Sequence, residues 1–303
     1  MPEVIELRKY ADFLRSKLKN KYITEIKILN GRYKKHKPFE LYNYIIKQLP
    51  IKVLDIQTKG KFLYFKLEHN IYLFNTLGLS GGWTYKSNSS KSYFFPLESN
   101  YIKTDLVDSY KKRSLNHLNV EFKTNKGSIY FYDTLSFGTL KGINNENALH
   151  KKLDSIGPDI MDESTTFKIF QNNIMTKNPK NLNKPIGNVL MNQKLISGIG
   201  NYLRADILWL SKISPFRLVK DITTKELKKI YNNAKLLTWA DYDYKKGLAL
   251  GYIKKISKVP RDYGQDFFVY NQKKDIYGHI VIREELYEGS QKRSIHWVKE
   301  VQK

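Results

Sequence analysis

The 303-residue sequence contains no cysteine, and this absence removes several kinds of chemistry at once. Without cysteine the chain forms no disulfide, has no thiol nucleophile and cannot bind zinc or iron–sulfur clusters through sulfur. The histidines are scattered, with no pair at the spacing of metal ligands: His36, His69, His117, His150, His279 and His296. We therefore expect no metal site and no cofactor.

Long apolar runs are also missing, although 41% of the residues are hydrophobic and 14% are aromatic. No apolar run is long enough to span a bilayer, and no cationic, apolar leader precedes the first predicted helix. This composition predicts a globular, intracellular protein of the nucleus or cytoplasm that is not secreted and has no membrane partner. A chain of this length is expected to bury sizeable cores in two domains.

Acidic residues are few compared with basic ones. The chain has 29 Asp and Glu against 53 Lys and Arg, which gives a formal net charge of +24. A balance of this kind favours polyanionic partners, because binding releases their condensed counterions. AT-rich coding, which enriches Lys, Asn and Ile, accounts for part of the excess. The charge alone therefore suggests a nucleic-acid partner without establishing one.

The most informative segment is a glycine-bearing connection between two patterns of helical periodicity. Apolar spacing predicts helices over Pro185–Ser197 and Asn201–Ser211, with Gly198 and Gly200 between them. Glycine allows positive φ and a close approach of backbone. Asn201 opens the second helix, where free N–H groups and the helix dipole favour a phosphate. This hinge strengthens the hypothesis of a nucleic-acid partner.

The remaining patterns predict an α+β protein with a β-rich first half and a helical second half. Alternating apolar residues predict strands near residues 26–28, 62–67, 71–75 and 128–133, and helical spacing predicts helices over 4–18, 167–172 and 224–239. A turn signal at residues 157–159 ends the first half. From Phe267 the FFVY, HIVI and SIHWV segments predict strands of a terminal hairpin, with a loop at Gly289. The predicted domains are residues 1–160, 161–265 and 266–303.

Seven short motifs occur in an order that resembles one known family almost from end to end. They are MPEVIEL, GKFLYF, TLGLSGGW, DTLSFGT, IGPD, SGIGN and KRSIHW. Together they resemble the formamidopyrimidine-DNA glycosylase/endonuclease VIII family. The resemblance implies an N-terminal β-sandwich with an attached helix, and a helical domain with a helix–two-turn–helix. Without cysteine, the terminal hairpin resembles the zincless finger of the endonuclease VIII-like 1 branch of animals and large DNA viruses, which adds a viral replication compartment to the possible locations.

The resemblance implies a bifunctional enzyme of base-excision repair, a DNA N-glycosylase (a hydrolase) that is also an AP lyase. Its implied substrates are oxidised pyrimidines, ring-opened purines and hydantoins in damaged DNA, duplex and single-stranded, bound by a monomer without a cofactor. A non-catalytic damaged-DNA-binding protein on the same scaffold is the main alternative. A module that binds RNA or single-stranded DNA through charge is less favoured, because the sequence shows no stacking platform.

The implied chemistry begins at Pro2, which becomes the N-terminus if Met1 is removed. An α-amino group has a pKa of about 8 and is substantially neutral near physiological pH. It can attack a sugar C1′ and form an iminium, through which β- and then δ-elimination cut the strand. Glu3 matches the family's general acid/base, and Glu6 matches a second glutamate that steadies it. Pro2 and Glu3 are also ordinary residues for a helix N-terminus.

Three positions match residues that hold DNA phosphates in the family. Lys61 matches a strand lysine beside the lesion, and Asn201 matches the asparagine of the hinge. Arg293, in the last hairpin turn, matches an arginine that clamps the phosphates of the flipped nucleotide. Each residue also has a plain structural interpretation, as a solvated lysine, a helix N-cap and a surface arginine. The loop 257–265 falls where the family has its lesion-capping loop, and individual roles there stay open.

Base extrusion leaves a gap that wedge side chains fill. Leu79, Leu135 and Phe137 occupy the matching positions of the LGLSG and DTLSFG segments. Where the family has arginine, this chain has Leu135, which cannot hydrogen-bond an orphaned partner base. We therefore predict weak discrimination of the opposite base and tolerance of single strands. Alternatively, Leu79 and Leu135 are core residues at strand ends.

Overall fold

The computed structural model describes residues 2–90, 93–97, 116–254, 267–288 and 290–303. Within these ranges the chain forms two compact units. The first contains Pro2 and residues 6–154, and the second contains Glu3–Ile5 and Ser155–Lys303. The boundary in the middle of the chain therefore follows Asp154, and a short N-terminal segment belongs to the second unit.

Two antiparallel sheets form most of the first unit. Its strands are β1 (Tyr22–Ile23), β2 (Glu25–Ile28), β3 (Ile51–Lys59), β4 (Phe62–Leu67), β5 (Tyr72–Thr76), β6 (Gly81–Ser87), β7 (Leu118–Thr124), β8 (Gly127–Asp133) and β9 (Thr139–Ile143). One sheet has the order β1-β3-β4-β5-β9 and the other β2-β7-β8-β6. The four strands predicted from alternation correspond to β2, β4, β5 and β8.

Aromatic side chains fill the space between the two sheets. Phe65 of the first sheet lies 5.3 Å from Trp83 and 6.4 Å from Phe122 of the second, measured between ring centroids. Both faces contribute buried residues to one apolar cluster. Two sheets that share one such core form a sandwich. The predicted N-terminal β-sandwich is confirmed.

Short helices complete the first unit. They are α1 (Val4–Leu18), α2 (Gly31–Lys35), α3 (Tyr42–Ile46) and α4 (Glu146–Asp154). The predicted first helix is confirmed, and its apolar stripe packs into the sandwich core through Leu7, Ala11, Leu14 and Leu18. Val4 and Ile5, at the beginning of α1, instead belong to the core of the second unit.

The second unit is mainly helical. Its helices are α5 (Phe167–Gln171), a π turn (Asn172–Thr176), a 3₁₀ turn (Pro179–Asn183), α6 (Ile186–Val189), α7 (Asn201–Ser211), a 3₁₀ turn (Val219–Asp221), α8 (Thr224–Tyr242) and α9 (Tyr244–Ala249). The helices predicted at 167–172, 201–211 and 224–239 correspond to α5, α7 and α8. α8 begins with a capping box, in which Thr223 and Glu226 satisfy each other's backbone N–H groups.

The prediction of one helix over Pro185–Ser197 is wrong. The helix α6 ends at Val189, and the following residues form turns. The Oδ1 atom of Asn192 accepts a hydrogen bond from the N–H of Lys194, at 3.0 Å. A side-chain acceptor of this kind competes with helical hydrogen bonds and favours a turn. Apolar spacing alone did not reveal this competition.

The prediction of a strand at Phe267–Tyr270 is also wrong. Residues 268–270 form a bend because the carboxylate of Asp206 accepts hydrogen bonds from three successive N–H groups, those of Phe268, Val269 and Tyr270, at 2.8 to 3.2 Å. These N–H groups are then unavailable to a strand partner. The HIVI segment contributes only Ile282 to a strand, since an isolated bridge joins Ile280 to Lys274.

The terminal hairpin itself is confirmed. Strands β10 (Ile282–Glu288) and β11 (Gln291–Trp297) pair antiparallel, with Leu286 opposite Arg293. Gly289 of its predicted loop lies outside the described residues, as does the whole of loop 257–265. Where the chain is described, no group of three His, Cys, Asp or Glu side chains could hold a metal ion. None of the helices described is long and apolar enough to cross a membrane.

Candidate functional site

Glu3 is the most enclosed of the predicted site residues, with 1% of its surface exposed. Its carboxylate oxygens accept hydrogen bonds from the N–H groups of Gly200, at 2.6 Å, and Tyr202, at 3.0 Å. These groups open α7, where the positive end of the helix dipole favours an anion. Pro2 directly precedes Glu3 in the chain and is half-buried. The amine that Pro2 would carry is therefore one residue from a carboxylate fixed on a helix end.

The hinge encloses the N-terminal segment. The N–H of Val4 donates to the carbonyl of Gly198, at 3.2 Å. Gly198 has a φ of +105°, and a Cβ atom there would lie 2.8 Å from the side chain of Val4. Only glycine meets both demands, the left-handed backbone and the close approach. The predicted need for a glycine at Gly198 is thus explained by the segment that carries Glu3.

A glutamine amide bridges the hinge. Nε2 of Gln193 donates to the carbonyl of Ile199, at 2.8 Å, and Oε1 accepts from the N–H of Gly198, at 2.9 Å. The amide thus uses both its donor and its acceptor on one turn. Sequence reasoning missed Gln193, because a polar residue between two apolar runs gives no periodic signal.

Asn201 is the first residue of α7, and the N-cap is Gly200. The interpretation of Asn201 as the N-cap is therefore wrong, as is the expectation that the N–H groups opening α7 are all free for a phosphate. The carboxylate of Glu3 already occupies two of them. The Oδ1 atom of Asn201 accepts a hydrogen bond from Nη2 of Arg204, at 3.4 Å.

Arg204 is a fully buried arginine that sequence reasoning missed. Besides Asn201, its guanidinium donates to the carbonyls of Gly187, at 3.2 Å, and Ser294, at 2.8 Å. Among the described residues its Nε has no hydrogen-bond partner. Burial lowers the pKa of Arg204 to about 10, and the positive charge of Arg293 also lowers it, whereas the charge of Glu3 acts in the opposite direction.

A sequence signal for Arg204 does exist. It stands with Asp206 inside the otherwise apolar stretch NYLRADILWL, and both side chains are buried. Charges are rarely buried without partners. A charged residue in a helix that is apolar on every face therefore predicts a network. Here Arg204 ties α7 to the hairpin, and Asp206 ties it to residues 268–270.

Arg293 is exposed and lies on β11, opposite Leu286, so its predicted place in the hairpin turn is wrong. It lines a cavity of about 360 Å³ together with Leu286 of β10, Asn188 of α6 and four residues of the turn that follows α6: Met191, Asn192, Gln193 and Lys194. The next residue, Ser294, offers its carbonyl to Arg204, which also holds Asn201. The structure thus links the two predicted phosphate-binding residues of the second unit through one buried guanidinium.

Aromatic side chains surround the start of α7. The ring of Tyr202 stacks on Phe267 at 4.7 Å and contacts Tyr270 edge-on at 6.3 Å, while Tyr270 meets His296 at 5.2 Å. Burial raises the pKa of Tyr270, and the negative charge of Glu3 raises it further. Burial lowers the pKa of His296, as do the charges of Arg283 and Arg204. Both shifts favour the neutral form of the ring beside the charged groups.

In the first unit, Lys61 does not lie on a strand as predicted. It occupies the two-residue turn between β3 and β4, after Gly60, whose φ is +55°. A glycine with positive φ at the first central position is typical of a type II′ hairpin turn, which places Lys61 at the tip. Glu6 lies in the first turn of α1 and is half-buried.

Three large apolar side chains are exposed at one end of the first unit. Leu79 is 47% exposed, Leu135 53% and Phe137 60%. The interpretation of Leu79 and Leu135 as core residues is therefore wrong. Large exposed apolar groups that cluster on neighbouring turns are typical of a contact surface.

A buried carboxylate holds these turns together. Asp133 accepts hydrogen bonds from the hydroxyl of Ser80, at 2.5 Å, and from the N–H groups of Leu135, at 3.2 Å, and Gly138, at 2.5 Å. The hydroxyl of Ser80 in turn accepts from the N–H of Leu135, at 2.9 Å. The segment that carries Leu79 and the loop that carries Leu135 and Phe137 therefore share one anchor.

The two turns also touch through backbone. A Cβ atom on Gly78, whose φ is +61°, would lie 2.7 Å from the backbone of Phe137 and Gly138. Ser136 has a φ of +57°, a conformation that non-glycine residues rarely adopt. Strain of this kind persists only where the surroundings fix it. The exposed side chains are thus presented on a rigid support.

Comparison with known proteins gives one consistent result. The profile of the formamidopyrimidine-DNA glycosylase N-terminal domain matches residues 1–140, and that of the formamidopyrimidine-DNA glycosylase H2TH domain matches residues 156–240. The formamidopyrimidine-DNA glycosylase of Mycoplasma pneumoniae is 29% identical over 77% of this chain and 75% of its own length. Endonuclease 8 of Escherichia coli is 24% identical over 75% of this chain and 74% of its own length.

Solved structures share the fold over the full length. The Lactococcus lactis formamidopyrimidine-DNA glycosylase bound to DNA with an abasic site has a TM-score of 0.72, at 19% identity, and each chain is 99% covered. The same enzyme with DNA containing an oxidised pyrimidine also has a TM-score of 0.72, at 18% identity over 99% of both chains. At this identity the similarity shows the fold.

Proposed function

Because the chain belongs to the formamidopyrimidine-DNA glycosylase/endonuclease VIII family of base-excision repair enzymes, we propose that it is a bifunctional DNA glycosylase and AP lyase. The observation that carries the proposal is the position of Glu3, a buried carboxylate on the helix end α7, directly after Pro2. A general acid/base must be fixed within reach of the reacting sugar. The hydrogen bonds to Gly200 and Tyr202 supply that fixation.

In this mechanism the amine of Pro2, freed by removal of Met1, attacks C1′ of the damaged nucleotide. The C1′–N bond breaks, and the base leaves with a proton that Glu3 helps to supply. The amine then loses its proton, the C1′–O4′ bond breaks as O4′ takes up a proton, and the opened sugar carries an iminium at C1′. The iminium draws electrons from C2′, so that loss of a proton there expels the 3′ phosphate, and a second elimination expels the 5′ phosphate. The protein's own groups perform every step. Glu6, in the first turn of α1, is proposed to steady Glu3.

The proposed phosphate contacts are Lys61, Asn201 and Arg293. Lys61 stands at the tip of the tight turn between β3 and β4, and its ammonium group is proposed to contact a backbone phosphate. Arg204 supports the other two, because it holds the side chain of Asn201 and the carbonyl beside Arg293. A guanidinium that bonds two elements fixes their separation, which suits a clamp on one phosphate.

The exposed side chains Leu79, Leu135 and Phe137 are proposed to fill the gap left by the extruded base. Their exposure and their rigid support by Asp133 favour this role over a place in the core. Leu135 offers no hydrogen bond to the orphaned base. We therefore propose weak selection of the opposite base and activity on single strands as well as duplexes.

The proposed lesions are oxidised pyrimidines, ring-opened purines and hydantoins. The hairpin β10–β11 in a chain without cysteine supports a place in the zincless branch of the family. We propose that the enzyme acts as a monomer, in a nuclear, cytoplasmic or viral replication compartment. The residues of loop 257–265 are proposed to cap the extruded base.

The alternative is a protein that binds damaged DNA without processing it. The buried, doubly bonded Glu3 argues against this, since binding alone has no need of a carboxylate held at the N-terminus. Incision assays separate the two functions. Duplexes with a hydantoin or an abasic site should be cut by the wild-type protein, and a Glu3→Gln variant should bind them but cut the hydantoin duplex far more slowly. Tight binding without any cutting by the wild-type protein would support the alternative.

A further inference from the structure

A strongly basic turn lies in the first unit, apart from the residues discussed so far. Residues 31–39 read GRYKKHKPF and contain four Lys and Arg residues, one histidine and no acidic residue. Tyr33 and Phe39 are buried, while the basic residues between them are exposed. A charge run on a solvated helix usually alternates in sign. In this segment every charged side chain is basic, and the buried rings of Tyr33 and Phe39 hold the segment against the sandwich.

The anchoring of this turn is specific. The hydroxyl of Tyr33 donates to the carbonyl of Leu140 and accepts from its N–H, at 3.1 and 2.5 Å. The ring of Tyr33 meets Phe39 edge-on at 5.8 Å. Gly31 has a φ of +71°, and a Cβ atom there would clash with the side chain of Asn119. The turn is therefore held in one conformation, next to the strand β9.

A groove of about 740 Å³ runs between this turn and β9. Its lining residues are Arg32, Tyr33, His36, Lys37, Pro38, Phe39, Glu40, Thr139, Leu140 and Lys141. Glu40 is the single acid among them, and it forms an ion pair with Lys141 at 2.8 Å. The unbalanced charge of the lining thus comes from Arg32 and Lys37. A groove with basic walls and an apolar floor suits a polyanion whose charges are separated by less polar groups.

One lining residue of the groove, Thr139, is close in the chain to the exposed loop. The strand β9 begins at Thr139, two residues after Phe137. Two residues span at most about 7 Å. Phosphates follow each strand of DNA at about 3.4 Å of helix axis. DNA that contacts Phe137 would therefore bring phosphates to the groove within a few nucleotides of the lesion.

We propose that this groove binds the DNA backbone a few nucleotides from the lesion, with Arg32 and Lys37 as its phosphate contacts. The inference rests on the proposed function, because it takes Phe137 as a point of contact with DNA. An acidic segment of a partner protein would satisfy the same charges. The short chain distance from Phe137 to Thr139 favours DNA, because a duplex that contacts Phe137 passes within reach of the groove.

The test measures binding to a duplex with a stable abasic analogue at several salt concentrations. The variant is Arg32→Gln/Lys37→Gln, and the matched control is Lys47→Gln/Lys126→Gln, which removes two exposed charges elsewhere in the first unit. Each lost phosphate contact lowers the slope of log K against log salt by about 0.9. The groove variant should therefore lose about 1.8 from the slope, whereas the control should keep the wild-type slope. Shortening the duplex on one side should abolish the difference between the wild-type protein and the groove variant.

Incision of an abasic duplex is measured on the same wild-type preparation. Normal incision with equal slopes for all three proteins would overturn the groove inference and leave the proposed function intact. Absence of both incision and abasic-site binding in the wild-type protein would overturn the proposed function. A third outcome is that the salt slopes are equal, but a polyglutamate peptide binds the wild-type protein and not the groove variant. This outcome would assign the groove to an acidic protein partner instead.

Discussion

The hinge of the second unit and the exposed loop of the first are both organised by a buried carboxylate, but the two carboxylates face different tasks. Glu3 accepts two N–H groups at the start of α7. Asp133 accepts two N–H groups and a hydroxyl within the turns that carry Leu135 and Phe137. Glu3 comes from the N-terminal segment, whereas Asp133 lies at the end of its own strand, β8.

The difference shows that one kind of interaction, a buried carboxylate that accepts backbone N–H groups, can serve either chemistry or structural support. A carboxylate that ends a strand and accepts hydrogen bonds from its own loop makes that loop rigid, and the proposed function assigns contact with DNA to the exposed side chains of the loop. The carboxylate of Glu3, brought from the N-terminal segment to a helix end, is the group that the proposed mechanism uses for proton transfer. We therefore expect substitution of Glu3 to slow base release selectively, and substitution of Asp133 to lower base release and abasic-site cutting together.

The largest effect is expected for Glu3→Gln. The amide cannot supply or accept the proton, so base release should slow by about 10² to 10⁴-fold. Cutting of a preformed abasic site should fall much less, because its aldehyde form is open to direct attack by the amine. Single-turnover assays on the two substrates measure the split. Equal loss on both would show that Glu3 serves structure and not proton transfer.

Asp133→Asn should act on the loop. Removal of one acceptor leaves buried N–H groups unsatisfied, at a cost of about 1–3 kcal/mol in the free energy of unfolding. Both base release and abasic-site cutting should fall together, by roughly tenfold, because the wedge is less well presented. Urea denaturation and the same kinetic assays test this. If Asp133→Asn slowed base release far more than abasic-site cutting, as expected for Glu3→Gln, the proposed difference between the two carboxylates would be wrong.

Leu135→Arg should change selectivity with little change in rate. A guanidinium at this exposed position can hydrogen-bond the orphaned base, so the preference among opposite bases should rise by several-fold, about 1 kcal/mol per new hydrogen bond. Rates on duplexes with each of the four opposite bases measure the effect, with Leu135→Met as the matched control. An unchanged preference would argue that Leu135 does not reach the gap.

Glu226→Gln should affect stability alone. The hydrogen bond from Arg217 lowers the pKa of Glu226 to about 2, against the opposing effect of burial. Its stabilising contribution is therefore full above about pH 4.5 and is lost as the pH falls toward 2. Since the side chain is partly exposed, the variant should lose only about 1 kcal/mol at pH 7. Unfolding at pH 7 and pH 2.5 should show the difference shrink, with base release unchanged.

Periodic patterns predicted most of the architecture. Apolar spacing predicted four of the nine strands of the sandwich (β2, β4, β5 and β8), the helices α1, α7 and α8, and the position of the terminal hairpin. The wrong predictions of a helix over Pro185–Ser197 and of a strand at Phe267 share one feature, which is a side-chain acceptor that takes backbone N–H groups. Asn192 accepts the N–H of Lys194 in the turns that follow α6, and Asp206 accepts the N–H groups of residues 268–270.

The candidate site was predicted less completely, because its contacts join residues far apart in sequence. The motifs pointed to Pro2 and Glu3, but nothing local indicated that Glu3 would occupy the N–H groups of Gly200 and Tyr202. Gln193 left no signal either. Arg204 could have been found, since a charge within an apolar helix requires partners.

Borohydride trapping tests the central claim most directly. The protein is mixed with DNA carrying an abasic site, reductant is added, and the covalent product is digested and mapped by mass spectrometry. The account predicts a stable adduct on the N-terminal peptide at Pro2, more abundant as the pH rises through about 8 and absent when Met1 is retained. An adduct on a lysine side chain, or none despite binding, would contradict the claim.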